Sequence, residues 1–179
     1  MSIDTSPYVE QAVKAVQAKI ANVKPKLALV AGSGLGSVAD LLKNPVSISY
    51  ADLPGFPAPG VHGHKGQLVF GEISGVPTIV LMGRIHVYEG EESWRLKVMI
   101  RTMRGLGCDF LFLTNAAGSM RLEVGAGELV MITDHINFMG GNPLVGPNED
   151  KFGPRFVDLE DCWDPELRSI LRSCADETG

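Results

Sequence analysis

The sequence is short of several things, and each shortage removes a class of function. No apolar run approaches the ~18 residues that a membrane-spanning helix requires. Positive charge is in deficit, with 16 Lys and Arg against 21 Asp and Glu and a net charge of −5. That balance argues against a nucleic-acid surface, which carries a basic excess. Cysteine is scarce: Cys108, Cys162 and Cys174 are odd in number, widely spaced and form no C-x-x-C. They read as reduced thiols rather than a disulfide framework. The opening Met1-Ser2-Ile3-Asp4-Thr5 lacks the basic-then-apolar pattern of a signal peptide, so the expectation is a cytosolic protein. There is no internal repeat and no low-complexity segment.

What is present is an ordinary globular composition, 45% hydrophobic and 21% charged over 179 residues. This is a one-domain length with room for a core. The 21 glycines cluster at the ends of apolar runs, where α/β sites are usually built. The clearest case is Lys26-Leu27-Ala28-Leu29-Val30-Ala31 followed by Gly32-Ser33-Gly34-Leu35-Gly36. Ser37-Val38-Ala39-Asp40-Leu41-Leu42 then resumes at helical spacing. Strand, glycine turn and helix in that order favour an anion at the strand's carboxyl end. A plain strand-to-helix turn using glycine for its φ > 0 positions is the alternative. The loop is no Walker A motif, because no Gly-Lys-Ser/Thr follows, and Ser37 occupies the third glycine position of G-x-G-x-x-G.

Along the rest of the chain, Ser6 as N-cap and Pro7 at the first helical position predict a helix. Val9, Val13, Val16 and Ile20 form its buried face. Asn44-Pro45 closes the helix after the glycine loop, and Val46 to Tyr50 alternates like a half-buried strand. Residues 53–66 hold too much proline and glycine for regular structure. Gln67–Ile73 and Val76–Met82 flank Ser74-Gly75 as a hairpin. If Gly83 to Gly90 stays extended, Arg84, His86 and Tyr88 point to one side and Ile85 and Val87 to the other. A helix from about Ser93 to Arg104 buries Leu96, Met99, Ile100 and Met103. Phe110–Leu113 reads as a strand buried on both faces, Leu129–Ile132 as a further strand. Asp164-Pro165 caps a last helix with Leu167, Ile170, Leu171 and Cys174 on one face. Strands alternating with helices predict an α/β fold with a largely parallel sheet and one antiparallel hairpin.

Three strand ends share a polar or small-residue character: Gly32-Ser33-Gly34, Arg84-x-His86-x-Tyr88 and Asn115-Ala116-Ala117-Gly118. Together they suit a small oxyanion, with arginine as the best donor for phosphate. A helix N-terminus contributes about 0.3–1 kcal/mol toward an anion, a charge-assisted hydrogen bond roughly 1.5–3 kcal/mol. Arg84 is therefore expected to hold the anion while the glycine loop shapes the site. Arg84 as a surface salt-bridge partner and His86 as a satisfied core histidine are the plainer alternatives. His62-Gly63-His64, with His86 and Asp134-His135, raises a metal reading, but no cysteine or carboxylate lies nearby at ligand spacing. Phosphate ranks above metal, and no metal is expected.

The ordered set Gly32-Ser33-Gly34-Leu35-Gly36, His62-Gly63-His64, Gly83-Arg84-x-His86-x-Tyr88-Glu89-Gly90, Thr114-Asn115-Ala116-Ala117-Gly118 and Asp134-His135-Ile136-Asn137 resembles the trimeric purine nucleoside phosphorylases. The likeness continues through Asn142-Pro143, Gly146-Pro147-Asn148 and Arg155-Phe156. Ser119 leans toward the bacterial inosine/guanosine and xanthosine-using members. The resemblance implies a three-layer α/β fold, a central mostly parallel mixed sheet flanked by helices. It also implies reversible phosphorolysis of a purine nucleoside to free base and ribose 1-phosphate, in purine salvage. Inorganic phosphate is then a co-substrate and no cofactor is needed. Carried over by position, Ser33, His64, Arg84, His86 and the Ala116 backbone would hold phosphate. Tyr88, Ala117 and Phe156 would contact the nucleoside, Phe156 from a neighbouring subunit of a homotrimer, and His86 with Glu89 would serve catalysis. The family's chains run well beyond Gly179, so the expectation is a single domain over 1–179 whose C-terminal part, with the base-binding groups, is absent. A methylthioadenosine phosphorylase fits Asn115-Ala116-Ala117 less well. A non-catalytic phosphate-binding or subunit-interaction module is the reading from another class.

Overall fold

The computed structural model describes residues 3–32, 34–57, 66–84 and 86–178. The chain divides into two compact units, Met1–Ala116 and Ala117–Gly179. In the first, helix α1 (Ser6–Lys19) precedes strand β1 (Leu27–Ala31). A 3₁₀ segment (Gly36–Leu41) leads to β2 (Lys43–Ser49), and β3 (Gln67–Ile73) and β4 (Val76–Met82) follow. Further 3₁₀ turns (Tyr50–Asp52 and Val87–Glu89), α2 (Trp94–Leu106) and β5 (Phe110–Leu113) complete the unit. The strands form one mixed sheet in the order β2-β3-β4-β1-β5. β1 pairs in parallel with β4 and β5, whereas β2–β3 and β3–β4 are antiparallel. The hairpin turn is Ser74-Gly75 as expected, with φ of 50° and 82°, the left-handed pair that a two-residue turn needs to follow strand twist.

The core is read from period-two alternation. Ala31, Val69, Val80 and Met82 pack with Leu42 on one face of the sheet, against Ala39 of the 3₁₀ segment. Ala28, Leu68, Ile79 and Leu81 alternate with these and are fully buried. Helices α1 and α2 pack on each other and bury Val9, Ala12, Val16, Val98, Met99 and Met103. Thr102, buried in α2, donates its hydroxyl to the Val98 carbonyl at 2.7 Å.

Several expectations change. The α1 cap is Thr5, one residue before Ser6, and Val13 is only half-buried. The helix expected after the glycine loop is one short 3₁₀ segment. Gly36, Ser37, Val38 and Asp40 are weak helix formers, and strand β2 already begins at Lys43, with Asn44-Pro45 inside it. Ile100 is exposed while Val98 and Thr102 are buried, so α2 is rotated slightly from its apolar spacing. Gly107, at φ 100°, is its left-handed C-cap. The largest correction is β5, expected to be buried on both faces. Its four residues are 36–46% exposed; among the described residues β5 lies at the sheet's edge, bonded to β1 alone.

The second unit contains a 3₁₀ turn (Asp150–Phe152) and helix α3 (Pro165–Thr178). Asp164 caps α3, its carboxylate accepting from the Leu167 N–H at 2.9 Å. Leu129–Ile132, expected as a strand, is not one. None of the described residues of this unit is buried, and the α3 face of Ile170, Leu171 and Cys174 is exposed. No described helix is long and apolar enough to cross a membrane.

Candidate functional site

Because β4, β1 and β5 are adjacent and parallel, their carboxyl ends emerge side by side. Gly83-Arg84 follows β4, Gly32 follows β1 and Thr114-Asn115-Ala116 follows β5. This is the place where open α/β sheets bind ligands. Thr114 fastens the three ends together. Its N–H and its hydroxyl both donate to the Val30 carbonyl, at 3.2 and 2.8 Å. Its hydroxyl oxygen accepts from the Gly32 N–H at 2.7 Å, and its carbonyl accepts from Arg84 Nη1 at 2.5 Å.

Arg84 therefore reaches across the end of β1 to β5, with its guanidinium packed over Gly32. A Cβ at Gly32 would stand 2.8 Å from Arg84 Nη1 and 2.8 Å from the Thr114 carbonyl oxygen. Only glycine leaves room for that crossing. One guanidinium N–H is used on Thr114, and a fork of five donors retains capacity for an oxyanion. Tyr50, 2% exposed, donates its hydroxyl to the Gly83 carbonyl at 2.8 Å. Burial pushes the Tyr50 phenol well above its ordinary range, so it stays protonated as a donor.

From His86 onward the chain does not stay extended. Glu89 N–H donates to the His86 carbonyl at 2.9 Å, closing a turn over Val87–Glu89. The extended backbone expected here gives way to a turn, while His86 and Tyr88 still come together. The His86 and Tyr88 rings lie 4.9 Å apart and 8° from parallel. Tyr88 is 80% exposed. Gly90, at φ 80°, ends the turn in a conformation that suits glycine. Glu89 presents one carboxylate oxygen, Oε1, that is sealed from water and has no hydrogen-bond partner among the described residues.

Of the residues expected at the site, Arg84, His86, Tyr88, Glu89 and Ala116 belong to the first unit. Arg84 meets the ends of β1 and β5, and His86 meets Tyr88. Ala116 is exposed two residues beyond Thr114. Ala117 and Phe156 belong to the second unit, where both are exposed. Ser33 and His64, with His62, lie outside the described residues. Among the described residues, no three His, Cys, Asp or Glu side chains come together as a metal site. Thr114 and Tyr50 were not singled out from sequence. A threonine closing an apolar run just before Asn115 was the available signal for the first, whereas Tyr50 is 33 residues from its partner.

Residues 26–179 match the model of the phosphorylase superfamily. Purine nucleoside phosphorylase 1 of Bacillus subtilis is 49% identical over 151 residues, 84% of this chain and 56% of that protein. Its namesake from Geobacillus stearothermophilus is 40% identical over 171 residues, 96% of this chain and 62% of that protein. A solved purine nucleoside phosphorylase from Schistosoma mansoni superposes with a TM-score of 0.90 at 37% identity, over 97% of this chain and 64% of that one. Another, in complex with ribose-1-phosphate, gives 0.91 at 36% identity over 99% and 67%. The chain thus spans about 56–62% of the length of these two bacterial relatives. With so much agreement in sequence and in backbone, the chain belongs to the purine nucleoside phosphorylase family of the phosphorylase superfamily.

Proposed function

We propose that this chain carries the phosphate half of a purine nucleoside phosphorylase site, and that the protein it serves cleaves purine nucleosides with inorganic phosphate to free base and ribose 1-phosphate. The observation that carries the reading is the Arg84 guanidinium, held at the joined carboxyl ends of β4, β1 and β5. Arg84, His86, the Ala116 backbone, Ser33 and His64 hold the phosphate. Phosphate is the nucleophile, so the protein has no need of an activated serine or cysteine. The cationic cradle aligns a phosphate oxygen with C1′ of the sugar, where positive charge grows as the glycosidic bond breaks, a catalysis of positioning and electrostatics. His86 with Glu89 serves this alignment, and the sealed Glu89 oxygen is an acceptor in reserve for it. Tyr88, Ala117 and Phe156 contact the nucleoside. The chain works as part of a phosphorylase domain in a cytoplasmic homotrimer, with inorganic phosphate as co-substrate and no organic cofactor. The ribose-1-phosphate held by a structurally similar relative is the product class this reaction makes.

The test is phosphate titration followed by thermal melting and by release of base from inosine, guanosine and xanthosine. A saturable phosphate-induced rise in Tm that Arg84→Ala removes is the expected result. No response in the wild-type chain, or an equal response in Arg84→Ala, overturns the cradle. Base release that depends on phosphate supports turnover by this chain. A phosphate response without base release favours a binding module instead.

A further inference from the structure

Tyr50 lies at the carboxyl end of β2, on the far side of the sheet order from β5, yet three parts of the first unit meet at it. Its backbone N–H donates to the Gly66 carbonyl at 2.8 Å. Its ring packs on Phe56 with centroids 5.3 Å apart. Its hydroxyl donates to the Gly83 carbonyl at 2.8 Å. Phe56 and Gly66 bracket residues 57–65, and Gly83 is the residue before Arg84. Phe56 is itself pinned, its carbonyl accepting from Arg95 Nη1 of α2 at 2.9 Å. Gly55, in the left-handed region at φ 76°, packs so closely that a Cβ would stand 2.8 Å from the Tyr8 side chain.

The Gly83 carbonyl belongs to the same peptide plane as the Arg84 N–H. Whatever fixes that carbonyl fixes the direction in which Arg84 leaves β4. Gly83 is at φ 111°, a region that holds a glycine loosely because it has no Cβ to restrain it. The restraint has to come from elsewhere, and the buried Tyr50 hydroxyl is the group in place to supply it.

We propose that Tyr50 is a positioning residue for the oxyanion site: its hydroxyl orients the Gly83–Arg84 peptide so that the guanidinium crosses to Thr114, while its ring and backbone keep Phe56 and Gly66 in register with that peptide. The consequence for function rests on the phosphate reading above; the orientation of the Gly83–Arg84 peptide does not. Tyr50→Phe removes one oxygen and keeps the ring and the backbone N–H. It leaves the buried Gly83 carbonyl without its donor, so the peptide must turn to find another.

Two measurements on the full chain test this. In phosphate titrations by thermal shift, Tyr50→Phe is expected to raise the half-maximal phosphate concentration about tenfold, the scale of one misplaced hydrogen bond. In amide hydrogen exchange without phosphate, the peptide covering residues 83–90 is expected to exchange faster in Tyr50→Phe than in wild type. Thr102→Val is the control, since it deletes another buried hydroxyl-to-carbonyl bond of α2 and lowers Tm without touching residue 83. An unchanged phosphate midpoint in Tyr50→Phe, or an equal shift in Thr102→Val, overturns the functional role. Unchanged exchange over 83–90 overturns the positioning itself. If wild type shows no phosphate response, the phosphate reading fails, and the exchange comparison alone decides whether Tyr50 sets the segment.

Discussion

In residues 1–116 the central strands carry a sealed core, with Leu68, Ile79, Val80 and Leu81 wholly inside. In residues 117–179 Met120, Leu122, Leu129, Phe138 and Phe156 all stand open to water. The same residue types occur on both sides of that boundary. What differs is the supply of neighbours. β4 has a bonded strand on each edge, so its backbone groups are paired, and its residues from Thr78 to Met82 are buried. Leu129–Ile132 has strand-like composition and is bonded to no strand among the described residues, and a lone strand leaves its N–H and C=O groups unmatched. β5 stands between these cases, with one bonded edge and half-open side chains. Across these three apolar runs, burial follows pairing.

The strongest way to break that comparison is to shorten one side chain in each unit. Leu81→Ala is expected to cost about 2–5 kcal/mol in urea unfolding, through lost burial and a cavity. Leu122→Ala is expected to leave the unfolding midpoint where it was. A marked loss from Leu122→Ala would show that the second unit is covered in solution.

Glycine offers a second contrast. Gly32→Ala places a Cβ 2.8 Å from both Arg84 Nη1 and the Thr114 carbonyl oxygen, and is expected to cost roughly 1–3 kcal/mol by overpacking. It should also weaken the phosphate response, because Arg84 is the neighbour able to move. A Cβ at Gly125 meets nothing within 4 Å, so Gly125→Ala should change neither stability nor phosphate binding. Equal effects at the two glycines would remove the argument for a tight crossing at Gly32.

The cysteines sharpen the contrast by reactivity and by pH. Cys162 and Cys174 are exposed and Cys108 is buried. A thiol reagent should therefore modify two cysteines in the native chain and the third on unfolding. Burial, with the Asp109 carboxylate adding to it, pushes the Cys108 thiol up to about 11 from 9.0. The unfolded chain then releases this proton at lower pH than the folded one. The stability from a neutral, buried Cys108 is complete below pH 9.0 and is lost as pH rises toward about 11. Comparing urea midpoints across that window, Cys108→Ala should show a shallower decline than wild type.

The smallest effect is expected at the Arg121–Glu123 pair of the second unit, where both side chains are largely exposed. A backbone hydrogen bond, and then Arg121, hold the Glu123 carboxyl below its ordinary value. Water and salt screen such a pair, so Glu123→Gln should leave the melting curve unchanged.

The hairpin was fully legible, because Ser74-Gly75 between two alternating runs specifies turn and register locally. Phe110–Leu113 was legible as a strand and misread in its burial, since four apolar residues look alike at a sheet's edge and at its centre. That Arg84 stands at a strand's carboxyl end was legible from its place after an apolar run. Its route over Gly32 to Thr114 was not, because it joins residues that are 30 apart in sequence. The extended reading of Gly83 to Gly90 failed through the turn closed by Glu89 on His86.

By itself the sequence determined where the strands and the two long helices of the first unit lie, the glycines at their ends, and the ordered motifs that mark the family. These depend on spacing, turn chemistry and residue type, which act over a few residues. The tertiary structure decided which strand became an edge, which apolar run found a partner, and how Thr114 and Tyr50 hold Arg84. Those outcomes depend on hydrogen bonds between distant segments, and a backbone group is satisfied by whatever the fold brings beside it, not by its neighbours in the chain.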